Sequence, residues 1–150
     1  MIAPTTIDDA APVLARHEID INAPTDRVWA LHVDVNAWPH WQSDITAAHL
    51  DGAFEPGSSF TWTSFGFTVT STIYALQEQT RALWGGTGEG ITGVHEWLFT
   101  TTSTGAHVVT TESFAGDPIQ ADIAGMRQIL DGSLISWLRR LKNAAESSVA

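Results

Sequence analysis

The sequence predicts an α+β domain in which a curved antiparallel sheet of six to seven strands wraps its dry face around one long C-terminal helix. Three observations carry this. From Ser59 to Leu76, apolar Phe60, Trp62, Phe67, Val69 and Ile73 alternate with threonines, the period of a strand pair with one wet and one dry face. From Ile119 to Leu141 the apolar residues recur instead at three and four, as on one helical face. The runs before and between them are short and strand-like apart from two brief helical patterns, so the layers are one sheet and one long helix.

Taken in order, residues 1–11 are polar, rich in Ala, Pro, Thr and Asp without a period, and read as a flexible N-terminal tail. Val13 to Asn22 alternates, with Val13, Ala15, His17, Ile19 and Ile21 on one face, and forms a half-buried first strand. Asn22-Ala23-Pro24 marks a helix start, followed by Val28, Leu31 and Val35 at helical spacing. Pro39 restricts its predecessor, so Asn36 to Asp44, NAWPHWQSD, reads as a second, shorter helical turn. Strands are expected over Ile45–Leu50, on either side of a turn at Phe65-Gly66, and over Arg81–Gly86, Gly90–Thr101 and Ala106–Ala115. The segment Gly85 to Gly93, GGTGEGITG, lacks the lysine and following helix of a phosphate cradle and reads as a flexible hairpin loop. GDPIQAD opens the long helix, with Asp117 as N-cap, Pro118 at N1 and Gln120 at N3. Gly125 and Gly132 interrupt that helix at about 1 kcal/mol each relative to alanine. No repeat or linker divides the rest, so residues 12–147 form a single domain.

The bulk numbers fit that size. A chain of 150 residues buries roughly 68–70% of its unfolded surface in one core. There is no cysteine, which removes disulfides and thiolate chemistry. Seventeen acidic against seven basic residues give a net charge of -10, which repels phosphate backbones and anionic lipid. The first residues lack a secretory pattern and no apolar run approaches a membrane span. The expected setting is cytoplasmic, without nucleic acid and without membrane insertion. The oligomeric state stays open, a homodimer included.

The segments IDINAPTDRVWALHVDVNAWPHWQSDI, DGAFEPGSSFTWTSFG, GVHEWLFTTTSTGAHVVTTESFAG and LISWLRRLKNAAE, in this order, resemble the START / Bet v 1-like helix-grip superfamily, in particular bacterial SRPBCC proteins of the polyketide cyclase/dehydrase type. The resemblance covers about Val13 to Glu146. It implies a ligand cavity between the sheet and the C-terminal helix, with the short helices after the first strand plugging one end. In that frame Trp38 and Trp41 pin a lid to the sheet while His40 faces water. Members of the superfamily bind lipids, sterols and polyketides and only some catalyse reactions, so the ligand stays open.

One polar constellation stands out. A four-residue loop at Thr102 to Gly105 pairs Phe99 with Val108, Trp97 with Thr110, and His95 with Glu112, all on the apolar face. Opposed residues lie ~4.5–5.5 Å apart at Cβ, close enough for an ionised Glu112 to raise the His95 pKa and fix its tautomer. His95 and Glu112 are therefore the candidate acid/base pair; as a structural pair they would simply satisfy each other. Glu96 belongs on the solvent side. His17, alone on an apolar strand face, reads as a core residue, and the other histidines show no metal-ligand spacing, so neither metal nor cofactor is expected.

Seven tryptophans suit a flat or apolar ligand, though packing alone explains many of them. Ligand contacts are assigned to Trp38, Trp41, Trp62, Val69, Ser71, Trp84, Trp97, Thr110, Met126 and Leu130. Three functions follow: binding of a small hydrophobic or aromatic, lipid- or polyketide-like, molecule; a polyketide cyclase, aromatase or dehydratase using His95 and Glu112; or a protein-interaction module whose cavity is filled.

Overall fold

A computed structural model describes residues 3–147. Seven strands run β1 Val13–Ile21, β2 Ile45–Leu50, β3 Ser59–Ser64, β4 Phe67–Gln77, β5 Arg81–Gly88, β6 Ile91–Thr101 and β7 Ala106–Ala115. They form one sheet in the order β1-β7-β6-β5-β4-β3-β2, every neighbouring pair antiparallel. After β1 come α1 Thr25–Val33, a 3-10 turn Val35–Ala37 and α2 Trp38–Trp41. After β7 come α3 Asp117–Ala121 and α4 Ile123–Glu146, which lies across the concave face. This is the helix-grip arrangement the sequence predicts.

The hairpins turn where expected. Phe65 and Gly66 both have positive φ, 51° and 82°, the two-residue turn whose twist matches paired strands. A phenylalanine is an unusual occupant of the left-handed region, which costs a side chain with Cβ roughly 1–2 kcal/mol. Phe60↔Ser71, Trp62↔Val69 and Ser64↔Phe67 share the concave face. On the convex face hydroxyls pair across the hairpin, Thr63 with Thr68 and Ser59 with Thr72, each at 2.9 Å.

Two expectations change. The glycine-rich segment is mostly strand, closed by a tight turn at Glu89-Gly90, because alternate small residues still pair in the β5–β6 ladder. The final helix is split: Asp117 is already helical, its side chain caps nothing, and the chain breaks at Asp122. There the Asp122 carboxylate accepts from the Gly125 N–H at 3.0 Å and caps α4. A Cβ on Gly125 would lie 2.2 Å from that carboxylate, which explains the glycine.

The segment expected as a tail lies along the convex face: Ile7 packs with Leu83 and Val94, and Asp8 N–H donates to Ser113 Oγ at 3.3 Å. Residues 1 and 2 of that expected tail lie outside the described residues.

The ends of the concave layer are tied down. Arg27 on α1 donates from Nε to the Ala145 carbonyl at 2.7 Å and from its terminal nitrogen to Ala144 at 3.1 Å, capping the C-terminus of α4. Ser136 on α4 donates to Asp44 at 2.8 Å, and Ser64 donates to the Asp44 carbonyl at 2.9 Å. Asp44 thus joins the helix to the turn end of the β3–β4 hairpin. At the outer edge of β2 the Asn36 amide both donates to the Leu50 carbonyl, 3.1 Å, and accepts from its N–H, 2.9 Å.

Candidate functional site

Hairpin β6–β7 has the register its loop length dictates: His95↔Glu112, Trp97↔Thr110 and Phe99↔Val108. On the other side Trp84 stands opposite His95, so one concave row reads Trp84, His95, Glu112, Ala15. Glu96 lies on the convex face, where Arg81 Nε donates to it at 2.8 Å.

His95 is buried and its hydrogen bonding fixes its proton. Thr110 donates its one hydroxyl proton to the Glu96 carbonyl at 3.2 Å, so its oxygen accepts from His95 Nε2–H at 2.6 Å. His95 Nδ1 is then a bare lone pair with no hydrogen-bond partner, 3.5 Å from Glu112 Oε1. Glu112 is only 14% exposed at its side chain. Burial pushes its carboxyl up to about 8 and, helped by the nearby His32, holds His95 well below the ordinary imidazole range. The expectation of an ionised Glu112 that raises the histidine pKa is therefore corrected. At neutral pH both groups are uncharged, the carboxyl being the proton donor and Nδ1 the acceptor.

A second buried imidazole, His32, was not anticipated. It follows Val28 by four residues and so shares the buried face of α1. Trp84 Nε1 donates to its Nε2 at 3.3 Å, and its ring lies 4.7 Å from Trp97 and 5.6 Å from Phe99, centre to centre. Burial lowers its pKa to about 3, so it too is neutral.

The assigned ligand residues divide into groups. Trp38, Trp62, Trp84 and Trp97 come together with Phe60 and Trp137, at ring separations of 5.3–6.3 Å, and fill the space under the C-terminal half of α4. Ser71 accepts from Trp62 Nε1 at 3.0 Å, and Thr110 is committed to His95. Leu130 and Met126 pack instead with Val13, Ala15 and Phe114 under the N-terminal half. Trp41 lies apart, packed against the core edge and lining an outer depression of ≈ 410 Å³ with Asp26, Arg27 and Leu31. A second depression, ≈ 420 Å³, is also external, lined by Gln77, Gln79, Thr80, Arg81 and Leu98–Thr101. Of the cavity expected between the sheet and the C-terminal helix, the part under the C-terminal half of α4 is filled by aromatic rings.

The N-terminal half of α4 meets a barer floor. Gly86 faces Gly93 in the row beside His95 and Glu112, and a Cβ on Gly93 would come within 3.3 Å of the Phe114 ring and 3.5 Å of Glu112 Oε2. Met126, Ile129 and Ser133 continue the helical flank that carries Ser136 and Arg140 to Asp44. That flank looks toward the β3–β4 hairpin, where Val69 is half-buried and Phe67 is 63% exposed. The carboxyl of Glu112 sits in the row between the two apolar clusters. His17 is inward too, held by Asp131 of α4 at 2.8 Å, while His40 is exposed. No group of three or more metal-ligating side chains occurs among the described residues.

Comparison with known proteins agrees with this geometry. Among solved structures, a hypothetical protein from Helicobacter pylori superposes with a TM-score of 0.81 at 16% identity, over 97% of this chain and 99% of that one. A START superfamily protein from Mycobacterium smegmatis gives 0.74 at 10% identity, over 89% and 97%. The di-domain ARO/CYC StfQ of the steffimycin biosynthetic pathway gives 0.72 at 16%, this chain covering half of it with 89% of its own length. At these identities the likeness is one of fold. No curated protein matches in sequence. The family model described as polyketide cyclase / dehydrase and lipid transport matches residues 12–146, nearly the whole domain, and the chain belongs to that family.

Proposed function

We propose that the protein binds a small hydrophobic or aromatic molecule between the sheet and the N-terminal half of α4, with its polar end at Glu112 and His95. One observation carries this: a neutral carboxyl and a bare imidazole nitrogen, 3.5 Å apart, lie side by side within an otherwise apolar layer. His95 Nε2 is engaged by Thr110, whereas His95 Nδ1 has no hydrogen-bond partner. An apolar ligand with one polar edge supplies that partner. The test is release of small molecules from protein purified out of its host, read by mass spectrometry, and titration of tryptophan fluorescence with 1-naphthol. Saturable quenching is expected; no released compound and no quenching would sink the reading.

The same observation favours a second reading, turnover of a polyketide-like substrate. Glu112 O–H would protonate a carbonyl oxygen while His95 Nδ1 takes a proton from the adjacent carbon or hydroxyl, the pairing that cyclisation or dehydration needs. Both Glu112→Gln and His95→Phe should then cut turnover by roughly 100-fold or more. Unchanged rates in both leave a binder without catalysis.

A further inference from the structure

We propose that the tip of the β3–β4 hairpin docks onto the surface of a neutral, zwitterionic lipid bilayer. It rests on the apolar-ligand reading for its purpose: the same hairpin carries Trp62 and Val69 on the concave face, so docking would set the edge of that layer against lipid.

Four observations carry it. Phe65 and Phe67 are 66% and 63% exposed, and Phe65 holds the left-handed position of the turn, where a glycine or asparagine would sit without strain. Exposure and strain at one residue are both unfavourable for the isolated fold, so stability does not explain the choice. Across the concave face Ile129 is 60% exposed, giving the opposite lip an apolar side chain as well.

Charge is absent where it would matter. No Asp, Glu, Lys or Arg occurs between Glu55 and Glu78, in a chain whose net charge is -10. Exclusion from membranes was expected from that net charge; the hairpin itself carries none, and the Asp44 carboxylate beside its Ser64 is held by Ser136 and Arg140 of α4. Having no lysine or arginine, the tip has no attraction for anionic headgroups either, which selects a zwitterionic surface.

The polar side chains nearest the turn are already paired. Thr63 pairs with Thr68, Ser59 with Thr72, Trp62 Nε1 donates to Ser71 and Ser64 donates to Asp44. The tip can therefore leave water without stranding these side chains, and Ser64 and Phe67 close the β3–β4 ladder at the turn. No helix among the described residues is long and apolar enough to span a bilayer, so the contact is interfacial.

The full chain is floated with phosphatidylcholine vesicles in a density gradient. The wild type should co-float, and Phe65→Ser/Phe67→Ser should reduce the bound fraction roughly tenfold or more. Phe65→Asn separates binding from folding: it should raise Tm by relieving the turn while still weakening flotation. A wild type that stays at the bottom, or a double variant that floats equally well, overturns the proposal. So does a dimer in size-exclusion chromatography that the double substitution converts to monomer, which would assign the tip to a second copy of the chain. Quenching by 1-naphthol, measured without vesicles, should persist in the double variant. A wild type that shows quenching but does not float overturns docking and leaves the ligand reading standing, whereas a wild type that floats without any quenching overturns the ligand reading.

Discussion

Strand β7 joins an imidazole to a carboxylate on each of its two faces, and the faces treat the same chemistry oppositely. On the concave side Glu112 meets His95, and burial leaves both neutral, the carboxyl raised to about 8 and the imidazole lowered. On the convex side His107 holds Asp20 at 2.7 Å and Glu18 at 3.1 Å, and the hydrogen bond to Asp20 leads the causes that raise its pKa. Glu18 in turn is lowered, first by its hydrogen bond to Arg16. Water supports the ion pair outside, whereas inside the cost of desolvating two charges exceeds their attraction. Proximity therefore says which groups talk to each other, and solvent access says in which protonation state.

The largest way to break the contrast is to open the concave side. Trp97→Ala should destabilise the protein by about 3–5 kcal/mol in urea unfolding, since the ring is fully buried among His32, His95 and Trp137. The next effect is pH. Glu112 keeps its proton in the fold above the ordinary 4.5 at which the unfolded chain loses it, so its contribution is fully present below pH 4.5 and lost as pH rises toward 8. His32 and His95 shift downward, so the unfolded chain binds their protons first and stability is lost as pH falls below 6.5. Between pH 4.5 and 6.5 two histidines oppose one glutamate and stability rises with pH. Above 6.5 only the glutamate acts on this side, and stability should fall by about 2 kcal/mol by pH 8. Thermal unfolding across pH should show this maximum near 6.5.

Glu112→Gln sharpens the point. It should remove most of the decline above pH 6.5 and steepen the rise below it; an unchanged profile would mean Glu112 is ionised in the fold. The smallest effect belongs to the convex face. His107→Ala should change stability by less than about 1 kcal/mol, and any change should shrink in added salt.

The His95–Glu112 pairing was legible because a short loop fixes the register of everything behind it, and the apolar Trp97 and Phe99 fix which face is inside. The protonation states were not, because they depend on α4 covering the row, a contact far away in sequence. His32 was hidden by its own residue type: the helical stripe was read from Val28, Leu31 and Val35, while the true buried face runs from Val28 to His32. The split at Asp122 was hidden by Asp117-Pro118, which carries the usual marks of a helix start five residues too soon. Composition alone allows a filled aromatic layer; that Gly86 faces Gly93 beside His95 is a pairing between strands, which composition does not give.

Asn36 has a consequence for how this chain behaves at high concentration. A sheet with two free margins, β1 and β2, offers unpaired backbone to any neighbouring strand. The Asn36 amide meets both polar groups of Leu50 as another strand would, and Arg16, Glu18 and Asp20 crowd the opposite margin with charge. Both templates for fibre growth are thereby blunted.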